Sequence, residues 1–307
     1  MNVAVTVNDT YVYPLYIMLQ TLFAHHRGIN IHVWLIHADV SSENICMLQE
    51  ICEKNHNRLT DIKVEDLFDD APTVLYFSKE MYFRILLCQL IPDTEERILY
   101  MDPDLIVNDT LLEFYNTPLE GYCLAGCRDR LLDRERPEYR KFLGLKEETT
   151  YINSGVLLFH LTEIRRSFKA EVVYQLVRER GKEFKFPDQD MINLLFEGRI
   201  RQMDDRYNWN PNIPYAKEYF GYIFGTGRVP KPAVIHFMGR EKPWNKHYIK
   251  NFYHYYWYYE MQFTNRSKIK LMLRIFQIPV SVIGGFLDFG RMFFRRIKKA
   301  AGRRGLK

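Results

Sequence analysis

The sequence predicts an α/β protein in which a mostly parallel sheet is flanked by helices. Three observations lead to this fold class. Apolar, strand-like segments alternate with helix-like segments over the first hundred residues, which is typical of parallel βαβ units. Several of the apolar segments end in a cluster of polar residues, and because ligands bind beyond the carboxyl ends of the strands in such sheets, a site is expected there. No internal repeat and no low-complexity linker interrupts residues 1–264, so the pattern favours one continuous domain there.

The alternation can be followed along the first half of the chain. Strands are predicted at short apolar runs, and helices where apolar residues recur every three or four positions. Ser41 and Ser78 are expected to cap the helices that they precede, and Pro14 falls in the first turn of another. The predicted order is strand 3–7, helix 14–26, strand 31–36, helix 41–53, strand 62–64, helix 78–90 and strand 98–100.

The second half continues with strands that again lead into polar residues. Asp188 is a good N-cap for the helix that follows it, and a short apolar run leads into His236. The predicted order is strand 122–127, strand 156–159, helix 162–180, helix 188–197 and strand 234–235.

Two acids stand where a buried strand ends. Asp102-Pro103-Asp104 interrupts an apolar stretch that resumes at residue 105. Pro103 cannot donate to a strand ladder, and side chains at i and i+2 of an extended segment point the same way, so both carboxylates should share one side. Neighbouring carboxylates repel each other unless a cation lies between them, which indicates a divalent metal site. A plain Asp-Pro-Asp turn is the alternative.

Composition excludes several protein classes. The chain has 307 residues, of which 47% are hydrophobic and 15% aromatic, enough for a large core and incompatible with disorder throughout. Its five cysteines are odd in number and form no Cys-x-x-Cys pair, so neither a disulfide framework nor a zinc knuckle is expected. The N-terminus lacks the pattern of a secretory signal peptide. A reducing, cytoplasmic setting is therefore expected.

The C-terminal residues 265–307 differ from the rest in charge. They contain twelve Lys or Arg and one acid, a balance of +11, whereas the whole chain carries +5. The preceding residues are therefore mildly acidic, and 265–307 is predicted to be a separate basic tail. Apolar residues recur at helical spacing within it, at Val282, Phe286, Phe289, Phe293 and Ile297.

This pattern predicts an amphipathic basic helix that lies on an anionic membrane surface. Arg274, Asp288 and Arg291 interrupt the apolar stretch, which disfavours a transmembrane helix. A nucleic-acid patch and a helix docked on a partner are the alternatives, but no nucleic-acid motif is present. We therefore expect a protein peripheral to the inner face of the cell membrane, with no nucleic-acid partner.

Six motifs occur in a fixed order along residues 1–250. They are Asn8-Asp9-Thr10-Tyr11, Tyr82-Phe83-Arg84, Tyr100-Met101-Asp102-Pro103-Asp104, Tyr151-Ile152-Asn153-Ser154-Gly155-Val156, Asp188-Gln189-Asp190, and His236-Phe237-Met238-Gly239-Arg240-Glu241-Lys242-Pro243-Trp244. In this order the chain resembles glycosyltransferase family 8, especially its bacterial lipooligosaccharide galactosyltransferases and glucosyltransferases. The resemblance implies a GT-A fold over residues 1–264. It also implies a retaining transfer of galactose or glucose from a UDP-sugar, with Mn²⁺, or alternatively Mg²⁺, as the cofactor.

The resemblance also assigns roles to residues. Asp102, Asp104 and His236 would bind the metal. Gly239 and Lys242 would contact the diphosphate, and Lys242 would stabilise it as it leaves. The donor-binding residues implied by the resemblance are Asn8, Thr10 and Tyr11 for uridine, and Arg84, Asp129, Asn153, Ser154, Asp188 and Gln189 for the sugar. Asn8 and Thr10 differ from the residue types usual in the family at these positions. The difference bears on the uridine contacts and not on the metal ligands.

Gln189 and Asp188 would lie at the reacting carbon. An amide such as Gln189 is a poor nucleophile, so front-face transfer through an oxocarbenium-like state is favoured over two successive displacements. Asp190 is the carboxylate that a double displacement would use. Each polar residue also has an ordinary structural role available: a bonded histidine at 236, a surface lysine at 242 and a helix cap at 188.

Two other function classes remain as alternatives. One is a non-catalytic, membrane-associated carbohydrate-binding protein, which the complete set of metal and phosphate residues disfavours. The other is a phosphatase with an aspartyl nucleophile, which would need a later Lys and acidic motif that the sequence lacks. A nucleotide-sugar pyrophosphorylase would need a Gly-rich N-terminal loop, which is also lacking. The membrane tail suggests a glycan or lipid-linked saccharide of the lipopolysaccharide type as acceptor.

Overall fold

The computed structural model describes residues 1–64, 80–135, 137–211, 232–245 and 253–264. These residues belong to two compact units. The first contains residues 1–209 and 232–234, and the second contains 210–231 and 235–307. The predicted membrane tail and Ser78 lie outside the described residues. Each unit is considered in turn.

The first unit alternates strands and helices as the sequence predicts. Its strands are β1 (Asn2–Thr6), β2 (His32–His37), β3 (Arg58–Lys63), β4 (Arg97–Met101), β5 (Leu105–Val107), β6 (Leu124–Arg128), β7 (Ile152–His160) and β8 (Ile200–Met203). Its helices are α1 (Val12–His25), α2 (Ser42–Lys54), α3 (Glu80–Phe83), α4 (Leu87–Leu90), α5 (Leu112–Tyr115), α6 (Arg130–Glu135), α7 (Pro137–Leu143), α8 (Leu161–Ser167), α9 (Ala170–Arg180) and α10 (Pro187–Leu195).

Seven of these strands form one sheet in the order β3-β2-β1-β4-β7-β6-β8. The strands from β3 to β4 are parallel, as are β6 and β8, whereas β7 runs antiparallel to β4 and β6. The sheet is therefore mixed and mostly parallel, which confirms the predicted fold class. Alternate residues of β1 pack into two different apolar clusters, Val3 and Val5 in one and Ala4 in the other. A strand buried on both faces has the continuous apolar sequence seen here.

Three predicted helices were wrong in detail. The helix predicted over 78–90 is broken by a 3-10 turn at Arg84–Leu86. The helix predicted over 162–180 is split into α8 and α9 because Phe168 is extended, which brings its ring to 5.3 Å from that of Phe196. Asp188 lies inside α10 rather than at its N-cap, because Pro187 occupies the first turn, where its fixed φ is favourable.

The second unit contains the end of strand β9 (Val234–His236), which begins in the first unit, and helix α11 (Tyr253–Phe263). The rings of Phe237 and Tyr256 pack edge to face at 6.1 Å, and Trp257 Nε1 donates to the Pro243 carbonyl at 2.9 Å. Residues 237–245 are thus held against α11. None of the helices among the described residues has both the length and the apolar character needed to cross a bilayer.

Candidate functional site

The carboxyl ends of β1 and β4 lie side by side because the two strands are parallel neighbours. Oγ1 of Thr6, at the end of β1, lies 3.0 Å from the hydroxyl oxygen of Tyr100. A 3-10 turn at Asp9–Tyr11 follows β1, and Asp102 follows β4. The two polar motifs therefore follow adjacent strand ends, as predicted for a ligand site in such a sheet.

The acid pair lies at this edge. The backbone N–H of Asp102 donates to the Gly155 carbonyl of β7 at 2.9 Å, and a turn then leads through Pro103 to Asp104. A carboxylate oxygen of Asp102 lies within 4.8 Å of one from Asp104. The predicted convergence of the two carboxylates is confirmed, although the segment is a turn rather than extended. Asp104 is buried, and the Asp102 side chain is 16% exposed.

Arg84 connects the acid pair to the next candidate residues. Its Nη1 lies 2.8 Å from Asp102 and 3.3 Å from Asp188, and its guanidinium lies over the Tyr100 ring at 4.5 Å. Burial opposes the charge of Arg84, but the surrounding acidic groups raise its pKa. Ser154 Oγ donates to Asp188 at 2.8 Å. The 3-10 turn that breaks the predicted helix thus supplies the cation between two carboxylates, of which Asp188 is buried and Asp102 is partly exposed.

Tyr100 gives Asp102 a second partner. Burial raises the pKa of Tyr100 well above its ordinary value, so its hydroxyl keeps the proton and donates to Asp102 Oδ1 at 2.7 Å. Arg84 contacts that same oxygen. Groups that hold one oxygen of a carboxylate fix the direction of the other, and hydrogen bonds of this kind orient the ligands of metal sites.

An amide cluster lies at the start of β7 and on α10. Gln189 Oε1 accepts from Asn153 Nδ2 at 2.7 Å and from the Ser154 N–H at 3.1 Å, while Gln189 Nε2 donates to Asp129 Oδ2 at 3.1 Å. Asp129 Oδ1 accepts from two N–H groups at the start of α6. The structure thus brings together Asp129, Asn153, Ser154, Asp188, Gln189 and Arg84. Such donors and acceptors suit a ligand rich in hydroxyls.

Asp190 differs from these neighbours because it is fully buried. The hydroxyl of Tyr139 donates to its Oδ2 at 2.5 Å, as does the Phe186 N–H at 3.0 Å, and the hydroxyl of Tyr151 donates to its Oδ1. Burial raises the pKa of Asp190 to about 6, despite these hydrogen bonds. A carboxylate enclosed in this way has the environment of a structural group.

The uridine candidates follow β1. The backbone N–H of Tyr11 donates to the Asn8 carbonyl at 3.0 Å, and Thr10 is exposed. The side-chain oxygen of Asn8 is buried, and no described residue donates to it. Buried oxygens of this kind require a partner, so this atom is available to a ligand donor. Asp9 is used structurally, since its Oδ1 accepts from Ser41 N–H at 2.9 Å.

The phosphate candidates belong to the second unit. Gly239 has a φ of +86°, which favours glycine, and Lys242 Nζ donates to the Phe237 carbonyl at 2.8 Å. Lys242 is buried rather than a surface lysine. His236 ends β9 and is also buried. The predicted metal ligands are therefore divided, with Asp102 and Asp104 in the first unit and His236 in the second.

Sequence reasoning missed Asn208 as a site residue. Its Nδ2 donates to Asn153 Oδ1 at 2.7 Å, and the residue is buried. The available signal was a polar residue between two large aromatics, Tyr207 and Trp209, both of which are buried. A buried amide in such a position needs a polar partner.

Comparison with known proteins gives a consistent result. The family model described as "Glycosyl transferase family 8" matches residues 2–248. A protein of Haemophilus influenzae is 28% identical over 223 residues, which are 70% of this chain and 64% of that protein. The lipopolysaccharide 1,2-glucosyltransferase of Escherichia coli (strain K12) is 26% identical over 253 residues, which are 80% of this chain and 73% of that enzyme.

Solved structures agree on the fold. The structure of the galactosyltransferase LgtC in complex with donor and acceptor sugar analogs matches with a TM-score of 0.74 and 24% identity. The match covers 87% of this chain and 98% of that one. The predicted GT-A fold is therefore confirmed.

Proposed function

The chain belongs to glycosyltransferase family 8, and from this premise we propose that it transfers galactose or glucose from a UDP-sugar to a glycan or lipid-linked saccharide. The anomeric configuration would be retained, and the reaction would depend on Mn²⁺. The observation that carries the proposal is the acid pair Asp102 and Asp104, linked through Arg84 to a buried cluster of amides and carboxylates. The names of the two enzymes described above, a glucosyltransferase and a galactosyltransferase, support a hexose donor.

Asp102, Asp104 and His236 would hold the metal. Two carboxylates and one imidazole suit Mn²⁺ better than Mg²⁺, which prefers oxygen alone. Within the first unit, Asn108 N–H donates to the Ala233 carbonyl at 2.7 Å, so the residues just before β9 are bonded to the end of β5. When bound, the metal would supply positive charge to the departing diphosphate.

The donor sugar would be held by the buried cluster. Arg84 and the amide of Asn153 offer hydrogen-bond donors, while Asp129 and Asp188 offer acceptors. Such a mixed set can distinguish one hexose epimer from another, because a misplaced hydroxyl leaves a buried polar group unpaired. Uridine would lie at residues 8–11, with the uracil N3–H donating to the buried Asn8 oxygen and the Tyr11 ring offering a stacking face.

The surroundings of Asp190 favour front-face transfer. A double displacement needs a carboxylate with a free oxygen below the anomeric carbon, whereas both oxygens of Asp190 are engaged in a buried cluster. Gln189 carries no charge. In front-face transfer the bond from the anomeric carbon to the diphosphate breaks, the bond to the acceptor oxygen forms on the same face, and the acceptor proton passes to a diphosphate oxygen. Lys242 would stabilise the charge that develops there.

The test is a panel of UDP-sugars assayed with Mn²⁺ and without acceptor. We expect UDP release from UDP-galactose or UDP-glucose, its loss on chelation with EDTA, and its loss in Asp104→Asn. In a reaction that also contains an acceptor, the NMR coupling constant of the anomeric proton in the product distinguishes retention from inversion. Failure to release UDP from any member of the panel, by a protein that remains folded, would reject the proposal.

Membrane association of the tail is also proposed, on the basis of its sequence alone. A basic amphipathic segment would bring the enzyme to the same anionic surface as a lipid-linked acceptor, at the cytoplasmic face of the membrane. Sedimentation with anionic liposomes compares the full chain with a chain that ends at Thr264. We expect binding by the full chain only, and equal binding by both would reject this role.

A further inference from the structure

Three amides of the first unit form one chain of hydrogen bonds that begins at Asn208. Asn208 Nδ2 donates to Asn153 Oδ1 at 2.7 Å, Asn153 Nδ2 donates to Gln189 Oε1 at 2.7 Å, and Gln189 Nε2 donates to Asp129 Oδ2 at 3.1 Å. The three amide residues are buried. Since buried hydrogen bonds in series reinforce one another, the orientation of each amide depends on its neighbours.

Backbone groups fix the direction of this chain. The oxygen and nitrogen of an amide side chain have nearly the same shape, so only their partners reveal which is which. Gly155 N–H donates to Asn153 Oδ1 at 2.9 Å, and Ser154 N–H donates to Gln189 Oε1 at 3.1 Å. Both backbone groups can only donate, and the Asp129 Oδ2 at the far end accepts. One direction therefore satisfies every member, with Asn208 as the donor at its start.

We infer that Asn208 is a positioning residue of the donor-sugar site, which acts through Asn153 to hold the Gln189 amide in one orientation. The inference rests on the proposed function, in which Asn153 and Gln189 contact the donor hexose. A reversed Gln189 amide would offer an oxygen where the sugar meets an N–H. Because a hydrogen-bonding site rejects a ligand with the wrong group in place, the preference for one hexose epimer depends on this orientation.

Two substitutions separate this role from simple packing. Asn208→Asp keeps the shape of the side chain but places a carboxylate oxygen, an acceptor, against the acceptor Asn153 Oδ1. Asn208→Ala removes the donor and places no acceptor there. We expect UDP-hexose affinity to fall about tenfold in the Ala variant and about 100-fold in the Asp variant at pH 7.5. UDP alone should bind both as it binds the wild type. The Asp variant should recover towards pH 5, where a protonated carboxyl can donate again.

The experiment is calorimetric titration of the full chain with UDP and with UDP-hexose in Mn²⁺, at pH 7.5 and pH 5, each normalised to wild type. Asn108→Asp is the matched control, because Asn108 is also a buried amide whose Nδ2 donates to an oxygen, the Pro232 carbonyl at 3.0 Å. It should lower the melting temperature without changing the ratio of UDP-hexose affinity to UDP affinity.

Two outcomes would overturn the inference. If Asn208→Asp binds UDP-hexose at least as well as Asn208→Ala at pH 7.5, the amide direction does not matter. If both variants weaken UDP and UDP-hexose equally, Asn208 has a general structural role. If the wild-type chain binds UDP but no UDP-hexose, the proposed function is rejected instead. The wild-type titration alone shows this result, so it is distinguished from a failure of the inference about Asn208.

Discussion

Two carboxylates of the first unit, Asp102 and Asp190, both accept a hydrogen bond from a tyrosine hydroxyl, yet their surroundings differ. Asp102 is partly exposed at the end of a strand and forms an ion pair with Arg84. Asp190 is fully buried within α10, and no ion pair to it occurs among the residues that the structure describes. The pKa of Asp190 is accordingly raised to about 6, chiefly by burial.

The two surroundings suit different roles, a ligand-binding carboxylate at 102 and a structural one at 190. A carboxylate charge removed from water is tolerated when a cation compensates it. Among the described residues Asp190 has no such cation, and both of its oxygens accept hydrogen bonds from tyrosine hydroxyls, so it stabilises the packing of α7, β7 and α10. Proximity in sequence is misleading here, because Asp188 and Asp190 are two residues apart and have different surroundings.

The largest expected effect is at Asp104, the buried partner of Asp102. Asp104→Asn removes one of the proposed anionic ligands and should lower Mn²⁺-dependent transfer by about 10³-fold or more. Stability should change little, because the variant relieves repulsion between two neighbouring carboxylates. Initial rates across a Mn²⁺ titration, with circular dichroism as a folding control, make the measurement. Retention of more than a tenth of the activity would show that the acid pair is not the metal site.

A smaller effect is expected at Tyr100, which orients Asp102. Tyr100→Phe should weaken Mn²⁺ binding by about tenfold, the lower end of the range seen when a hydrogen-bond partner of a metal ligand is removed. Tyr139→Phe is the matched control, since it removes a tyrosine hydroxyl from Asp190 in the same manner. Mn²⁺ affinity by electron paramagnetic resonance should fall in the first variant only. An equal fall in both would remove the distinction between the two carboxylates.

Replacement of Asp190 itself should have a modest effect. In Asp190→Asn the amide oxygen can still accept from Tyr139 and Phe186, and the amide nitrogen can donate to the oxygen of Tyr151. We expect kcat/KM to stay within about tenfold of wild type, and the free energy of unfolding in urea to change by about 1 kcal/mol. A folded variant that has lost transfer by more than about 10³-fold would instead identify Asp190 as a nucleophile.

The smallest expected effect is a pH dependence of stability. The pKa of Asp190 is about 6 in the folded state against an ordinary 3.8, so the folded state binds more protons between these values and stability falls as pH rises through them. His32 acts oppositely. Burial lowers its pKa from 6.5 to about 4, so its contribution is lost as pH falls through that window. The melting temperature of Asp190→Asn, relative to that of wild type, should rise from pH 4 to pH 6. Above pH 6 the difference between the two melting temperatures should stay constant. A constant difference across this range would contradict the assigned pKa.

The sheet and the acid pair could be predicted from the sequence because both depend on local pattern. Strand alternation predicted the parallel part of the sheet, and the polar residues at strand ends predicted where the site would lie. The breaks at Arg84 and Phe168 were missed because each depends on a distant partner: Asp102 and Asp188 for Arg84, and the Phe196 ring for Phe168. Helical periodicity cannot report such tertiary contacts.

The candidate site divides in the same way. Residue types and their order suggested the metal and sugar candidates. The structure shows that seven of them share one network of hydrogen bonds and ion pairs: Arg84, Asp102, Asp129, Asn153, Ser154, Asp188 and Gln189. Asn208 could not be found from pattern, because its importance lies in a bond to Asn153, 55 positions away. Likewise, nothing in the string Asp188-Gln189-Asp190 shows that Tyr139 and Tyr151 enclose the second acid.

We propose above all that Asp102, Asp104 and His236 bind one Mn²⁺ together. Pulsed electron paramagnetic resonance of the full chain with one equivalent of Mn²⁺ and UDP tests it directly, because a nitrogen ligand gives its own modulation. We expect an imidazole nitrogen signal in wild type, its absence in His236→Ala, and weak Mn²⁺ binding in Asp104→Asn. An unchanged nitrogen signal in His236→Ala, or wild-type affinity in Asp104→Asn, would contradict the claim.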